Sequence, residues 1–171
     1  QIWTDSLTAL GFPTLLVNDE NADPSYAISL ITRPATSITH SSAYLNGYVS
    51  VYGGSHQLFF QYGENDSVSQ SEIDVGVTLN GITGAFNTGV GVEGLTPSTD
   101  YSFRLIAKSL SGNIQELGNT LTFSTPANSS PIITSIDNIS INEDSTLTVI
   151  LSGTDPDGDI ITYSGSSDTI S

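Results

Sequence analysis

Asp155-Pro156-Asp157-Gly158-Asp159 places three carboxylates at alternating positions between two strand-like runs. Three like charges this close repel unless water or a shared cation offsets them, and oxygen ligands of this kind suit a hard cation such as calcium. Asp155 and Asp157 share a face of an extended backbone, and Gly158 supplies the tight turn that folds Asp159 back toward them. The run is not an EF-hand. Its Gly falls fourth rather than sixth, and Ser166 stands where the bidentate Glu belongs. Asp, Pro and Gly are also the ordinary residues of a solvated turn, so the stretch reads either as a calcium site or as a plain loop.

Other residues with chemical capability are scattered. Tyr44, Tyr48 and Tyr52 recur at steps of four, which puts them on one face of a strand about 13 Å apart. There they form a stripe able to contact a sugar or a neighbouring subunit, or a simple outer face of good strand formers. His40 and His56 have no second His and no Cys at metal spacing, and no nucleophile-elbow motif is present. Asp19, Glu20 and Asp23 have the residue type of glycosidase carboxylates but sit in a polar loop with no sign of a cleft. With no Cys, thiolate chemistry and disulfides are excluded. The expectation is a chain that is not an enzyme.

The 171 residues are enough for one large domain or two small ones. Eighteen Asp and Glu face only Arg33, Arg104 and Lys108, for a net charge of -15. Nothing here neutralises phosphates, which argues against nucleic acid and anionic membranes. Residues 131–171 hold seven acids and no Lys or Arg, so the charge is concentrated around the Asp-rich turn. No apolar run approaches the length of a membrane span. Three matches to the glycosylation acceptor pattern, such as Asn65-Asp66-Ser67, are what chance gives in a chain rich in Asn, Ser and Thr. Cysteine avoidance and acidity fit an exported bacterial protein.

The elements that position these residues are strands. Val, Ile, Thr, Tyr and Phe alternate with polar residues between turns of Gly, Asn, Asp, Ser and Pro, with no helix of useful length. Ala43, Leu45, Val49 and Val51 point one way and Tyr44, Asn46, Tyr48, Ser50 and Tyr52 the other. Leu58, Phe60 and Tyr62 alternate with Gln57, Phe59 and Gln61. Tyr101, Phe103, Leu105 and Ala107 alternate with Ser102, Arg104, Ile106 and Lys108, and Leu121 and Phe123 close the set. A weaker strand lies within Ser71–Leu79. The run from Gly94 to Arg104, with Leu58–Gly63 and Leu121–Pro126, resembles a fibronectin type III domain over about 35–125. That resemblance implies an all-β, immunoglobulin-like antiparallel sandwich in which Tyr101 is the corner tyrosine, its hydroxyl bonded to upstream backbone. One departure is the absence of a Trp from the segment; Trp3 lies outside it.

Residues 126–131 read as an extended, fairly stiff linker between two prolines. Beyond it, strands are expected within Ile132–Ile141, around Leu147, Val149 and Leu151, and at Ile160–Tyr163. With Asn142-Glu143-Asp144-Ser145 and the Asp-rich turn, residues 132–171 resemble the first half of a bacterial cadherin-like repeat. The resemblance implies calcium (Ca2+) at the junction with the preceding domain, with Asp155 and Asp157 as ligands, Glu143 matching the acid at the end of the first strand, and Asp144 assisting. Residues 1–34 carry strand-like runs, Thr14–Val17 and Tyr26–Ile31, but resemble no family. The fold expected is therefore tandem antiparallel sandwiches, the second incomplete.

A half sandwich exposes apolar faces and bare edges. Either a longer chain completes it, or it is disordered, or strands of another copy complete it, with residues 1–34 as the natural donor. These features imply a non-catalytic structural or adhesive module of an extracellular or cell-surface protein, partnered by copies of itself or by neighbouring domains. A head-to-tail filament subunit is the first alternative. A carbohydrate-binding or spacer region of a secreted polysaccharide-degrading enzyme is the second.

Overall fold

The structure, a computed structural model, describes residues 27–165. Eight strands build a sandwich: β1 (Ala27–Thr36), β2 (Ser42–Tyr52), β3 (Ser55–Glu64), β4 (Ser71–Asn80), β5 (Thr83–Glu93), β6 (Asp100–Ser109), β7 (Ile114–Leu117) and β8 (Leu121–Ser124). One sheet has the order β1-β2-β5. The other runs β4-β3-β6-β7, with β8 also paired to β6, and every pairing is antiparallel. The chain is all-β and immunoglobulin-like, as its alternating pattern requires.

The period-2 pattern sets the two faces of each strand. Ala43, Leu45, Val49 and Val51 of β2 are buried against Leu58 and Phe60 of β3 and Tyr101, Phe103 and Leu105 of β6. In place of a core Trp, three Phe rings meet. Phe103 lies edge-on to Phe123 with centroids 5.6 Å apart and tilted to Phe60 at 6.3 Å. Offset and edge-on pairs of this kind add roughly 0.5–1.5 kcal/mol beyond the area they bury. Gly47 sits buried at the same level because a Cβ there would lie 2.7 Å from Leu105 Cδ2. The corner at Tyr101 forms as the fibronectin-like motif implies: the Thr96 N–H donates to its hydroxyl at 2.8 Å.

The boundary expected between residues 34 and 35 is corrected. β1 crosses it, pairing with β2 from Ala27↔Tyr52 to Thr36↔Tyr44 and placing Leu30 and Thr32 in the interior. The Thr32 hydroxyl accepts the Leu105 N–H of the opposite sheet at 3.0 Å. Pro34 has no N–H for the ladder, so the register shifts there, and its carbonyl accepts from Asn46 Nδ2 at 2.9 Å. Two strands had no clear sequence signal. β5 contains Gly84, Gly89 and Gly91, which weaken strand propensity, yet Phe86, Val90 and Val92 still alternate toward the core. β7 is a four-residue edge strand.

Among the described residues after the sandwich, only β9 (Ile132–Ile133) and β10 (Gly153–Thr154) pair, antiparallel, extended by the Thr134 N–H to the Ser152 carbonyl at 2.8 Å. The runs around Leu147–Leu151 and at Ile160–Tyr163, expected as strands, are not in a ladder among the described residues. Alternation supplies a face to bury, but a strand also needs a neighbour for its backbone groups, and none is present.

Candidate functional site

The Asp-rich turn is built by its own side chain. Asp155 Oδ1 accepts the N–H groups of Asp157 at 2.9 Å and Asp159 at 3.3 Å, and the Gly158 N–H returns to the Asp155 carbonyl at 3.2 Å. Gly158 takes the left-handed backbone this turn needs, with φ 84°. The turn then seats against the linker and the end of the sandwich. Asp157 Oδ2 accepts the Ser129 N–H at 2.6 Å, and Asp159 Oδ2 lies 3.5 Å from His40 Nε2. The Ser129 hydrogen bond holds the Asp157 carboxyl below the usual carboxylate range; burial opposes this slightly, and positive charge on His40 favours it.

His40 belongs to the tight connection between β1 and β2. There the Thr39 hydroxyl accepts the Ser41 and Ser42 N–H groups, and Thr39 N–H donates to the Ser42 carbonyl at 2.8 Å. The Leu95 N–H holds Ser41 from the other side at 2.9 Å. The His40 side chain is only 11% exposed, and its Nδ1 is buried without a hydrogen-bond partner. No local signal marks His40: its partner arrives from the far end of the chain.

The linker leaves the sandwich from the same end. The buried Thr125 hydroxyl accepts the Thr99 N–H at 3.0 Å and faces the Thr96 carbonyl at 2.7 Å, while the Ser98 N–H meets the Pro126 carbonyl at 3.0 Å. Thr125 therefore clasps the chain to the loop before β6 and fixes the direction in which the linker departs.

Among the described residues, no three His, Cys, Asp or Glu side chains gather where one metal ion could sit. Asp155, Asp157 and Asp159 are turned to three different partners. Glu143 and Asp144 lie on an exposed turn, where the Ser145 N–H bonds the Asn142 carbonyl at 3.2 Å. The donors are the oxygens calcium prefers, but a calcium shell takes six to eight of them, and they are not assembled here.

The tyrosine stripe is present on the outer face of β2, with Tyr44 42% and Tyr52 60% exposed. Tyr48 is capped. The Arg33 guanidinium lies 4.8 Å from its ring centre and donates to Asn87 Oδ1 at 2.7 Å. The Tyr44 ring lies over Gly89, where a Cβ would come within 2.6 Å of Cε1. His56 is a core residue whose Nδ1 meets Gln115 Oε1 at 2.5 Å. Asp19, Glu20 and Asp23 lie outside the described residues.

No protein-family model and no curated protein matches the chain. Among solved structures it is similar to the sensor domain of the anti-sigma factor RsgI4 of Pseudobacteroides cellulosolvens. The solution structure of that domain matches at 21% identity and a TM-score of 0.46, over 71% of this chain and 95% of that one. A longer form matches at 21% identity and 0.43, over 66% and 100%. The third fibronectin III domain of a human protein matches at 14% identity and 0.33, over 61% and 82%. These likenesses are too distant to carry function. The sandwich is defined by its own strand order.

Proposed function

We propose that this chain is a non-catalytic structural or adhesive module of a bacterial extracellular or cell-surface protein, in which a fibronectin type III-like sandwich is joined stiffly to a cadherin-like segment. The observation that carries this is the joint itself. Ser129 of the linker and His40 at the end of the sandwich engage Asp157 and Asp159 of one five-residue turn. A chain fastened at its linker transmits orientation from one domain to the next, which is what a spacer or adhesin stalk needs. Charge of -15 keeps such a surface soluble and away from anionic lipid.

Calcium belongs to this proposal through Asp155, Asp157 and Asp159, with Glu143 and Asp144 in support. It has to draw the carboxylates together from the positions described above. The expected dissociation constant is on the order of 0.1–1 mM, the range of extracellular modules. Calorimetric melting in a calcium series tests it: a rising Tm up to several millimolar is expected, and a flat series removes calcium from the joint. Surface location is tested by antibody labelling of intact source cells, where labelling only after lysis contradicts the proposal.

A second reading, a carbohydrate-binding spacer of a secreted polysaccharide-degrading enzyme, has one observation in its favour: the open rings of Tyr44 and Tyr52. Sugar-specific signal on a glycan array, lost in Tyr44→Ala with Tyr52→Ala, is its expected outcome.

A further inference from the structure

The outer face of the β1-β2-β5 sheet differs in charge from the rest of the molecule. Its three strands hold one base, Arg33, and one acid, Glu93 at the last position of β5, so the sheet is neutral in a chain of net charge -15. Alternation sends Tyr44, Asn46, Tyr48, Ser50 and Tyr52 of β2 to this face. Gly91 pairs opposite Tyr44 and Thr83 opposite Tyr52, so β5 raises no bulky wall beside either exposed ring. The Tyr44 ring lies across the Gly89 backbone, close enough that no Cβ fits beneath it, so one ring face rests on the sheet and the other turns to solvent. Between the two open rings Arg33 is already fixed, with its guanidinium 4.8 Å from the Tyr48 ring centre and a hydrogen bond donated to Asn87 Oδ1 at 2.7 Å.

Open aromatic rings separated by hydrogen-bonding groups suit a ligand that alternates apolar ring faces with hydroxyls. Charge narrows the class. A polyanion, or a second copy of this chain, is repelled by a molecule of charge -15, whereas an uncharged polymer is not. A protein partner held by buried apolar area finds no contiguous apolar centre, because Asn46, Ser50 and Asn87 lie between the rings. Resting on the carbohydrate-binding reading given above, we propose that this face holds one strand of an uncharged polysaccharide lying along β2, stacked on Tyr44 and Tyr52 and hydrogen-bonded between them by Arg33 and Asn87. The two rings stand eight residues apart along β2, about 26 Å. An internal run of a long polymer therefore reaches both, and a short oligosaccharide reaches one.

Affinity electrophoresis of the full chain tests this, in gels cast with soluble xyloglucan, mannan, arabinoxylan or dextran, and with polygalacturonate as the anionic comparison. The expected result is retardation by an uncharged polymer and none by polygalacturonate. Tyr44→Ala and Tyr52→Ala are each expected to weaken the binding by roughly two- to tenfold, Arg33→Met with Asn87→Ala to weaken it further, and Tyr44→Phe or Tyr52→Phe to retain it, because the ring face makes the contact. Tyr52 is 60% exposed, so its loss leaves the fold intact and keeps the test decisive should Tyr44→Ala disturb the cover over Gly89. Short oligosaccharides of the bound polymer are expected to compete weakly. If they compete as well as the polymer and only one tyrosine matters, the extended strand is overturned while carbohydrate binding stands. Retardation by polygalacturonate alone, or retardation indifferent to both tyrosines, also overturns the proposal. Self-association in sedimentation that Tyr52→Ala abolishes assigns the face to a second copy instead. Absence of retardation in every polymer, with an empty glycan array, removes this proposal and the carbohydrate reading together.

Discussion

Asp157 is the residue on which the joint turns, and its chemistry gives a signed prediction. Its folded carboxyl titrates below the ordinary value because it accepts the Ser129 N–H. A depressed carboxylate contributes stability that is complete above the unfolded value near 3.8 and is lost as pH falls through the lower folded one. The Ser129 amide resonance is therefore expected to hold its position down to about pH 4 and to move toward an exposed value below that. In Asp157→Ala it should sit at the exposed value throughout. A Ser129 amide indifferent to both acid and substitution would mean that the turn is not seated. Tyr101 makes a second residue-scale test. Tyr101→Phe removes the acceptor of the Thr96 N–H and is expected to cost about 0.5–1.5 kcal/mol in urea unfolding.

At the scale of elements, the sandwich is held by two different devices. Its middle is held by the Phe60, Phe103 and Phe123 contact between the β3–β6 ladder and β8. Phe103→Ala leaves a cavity at a fully buried position and is expected to lose about 3–5 kcal/mol. Its lower end is held by Thr125, whose hydroxyl links the last strand to the loop before β6. Thr125→Val keeps the shape but strands the Thr99 N–H and the Thr96 carbonyl. It is expected to cost roughly 2 kcal/mol and to loosen the Ser129 amide as well, since the linker begins at the next residue. The open flank of the second sheet, β4, carries its own protection. The register shifts opposite Gln57–Phe59, and the Gly76 N–H bends back to Asp74 Oδ1 at 2.8 Å. An irregular, acidic edge discourages pairing there.

For the whole molecule, stability is divided unevenly along the chain. The sandwich buries a continuous core, whereas residues 132–165 bury almost nothing in the single chain. Hydrogen exchange on dilute protein is expected to show protected amides in β2, β3 and β6 and fast exchange from Thr134 to Tyr163. Slow exchange of that segment in a proven monomer would require a partner within the same chain.

The local sequence determined which strands have a buried face, because alternation with period two is written residue by residue and needs no distant information. It located β2, β3, β6 and β8 on that basis, while the corner tyrosine followed from the fibronectin-like motif and the acidic turn from its Asp, Pro and Gly. Residues 1–26, with Trp3, Thr14–Val17 and the loop acids, lie outside the described residues. What tertiary structure alone decided depends on partners remote in the chain. Glycine-rich β5 is a strand because β2 offers it a full ladder and the Tyr44 ring needs the space over Gly89. β1 joins the sandwich across a proline because the register shifts there and Asn46 Nδ2 donates to the Pro34 carbonyl. His40 faces Asp159 only because the linker folds the C-terminal turn back under the sandwich. The runs near Leu147 and Ile160 are in no ladder among the described residues despite their strand pattern, since a β-strand is completed by its neighbour and not by its own residues.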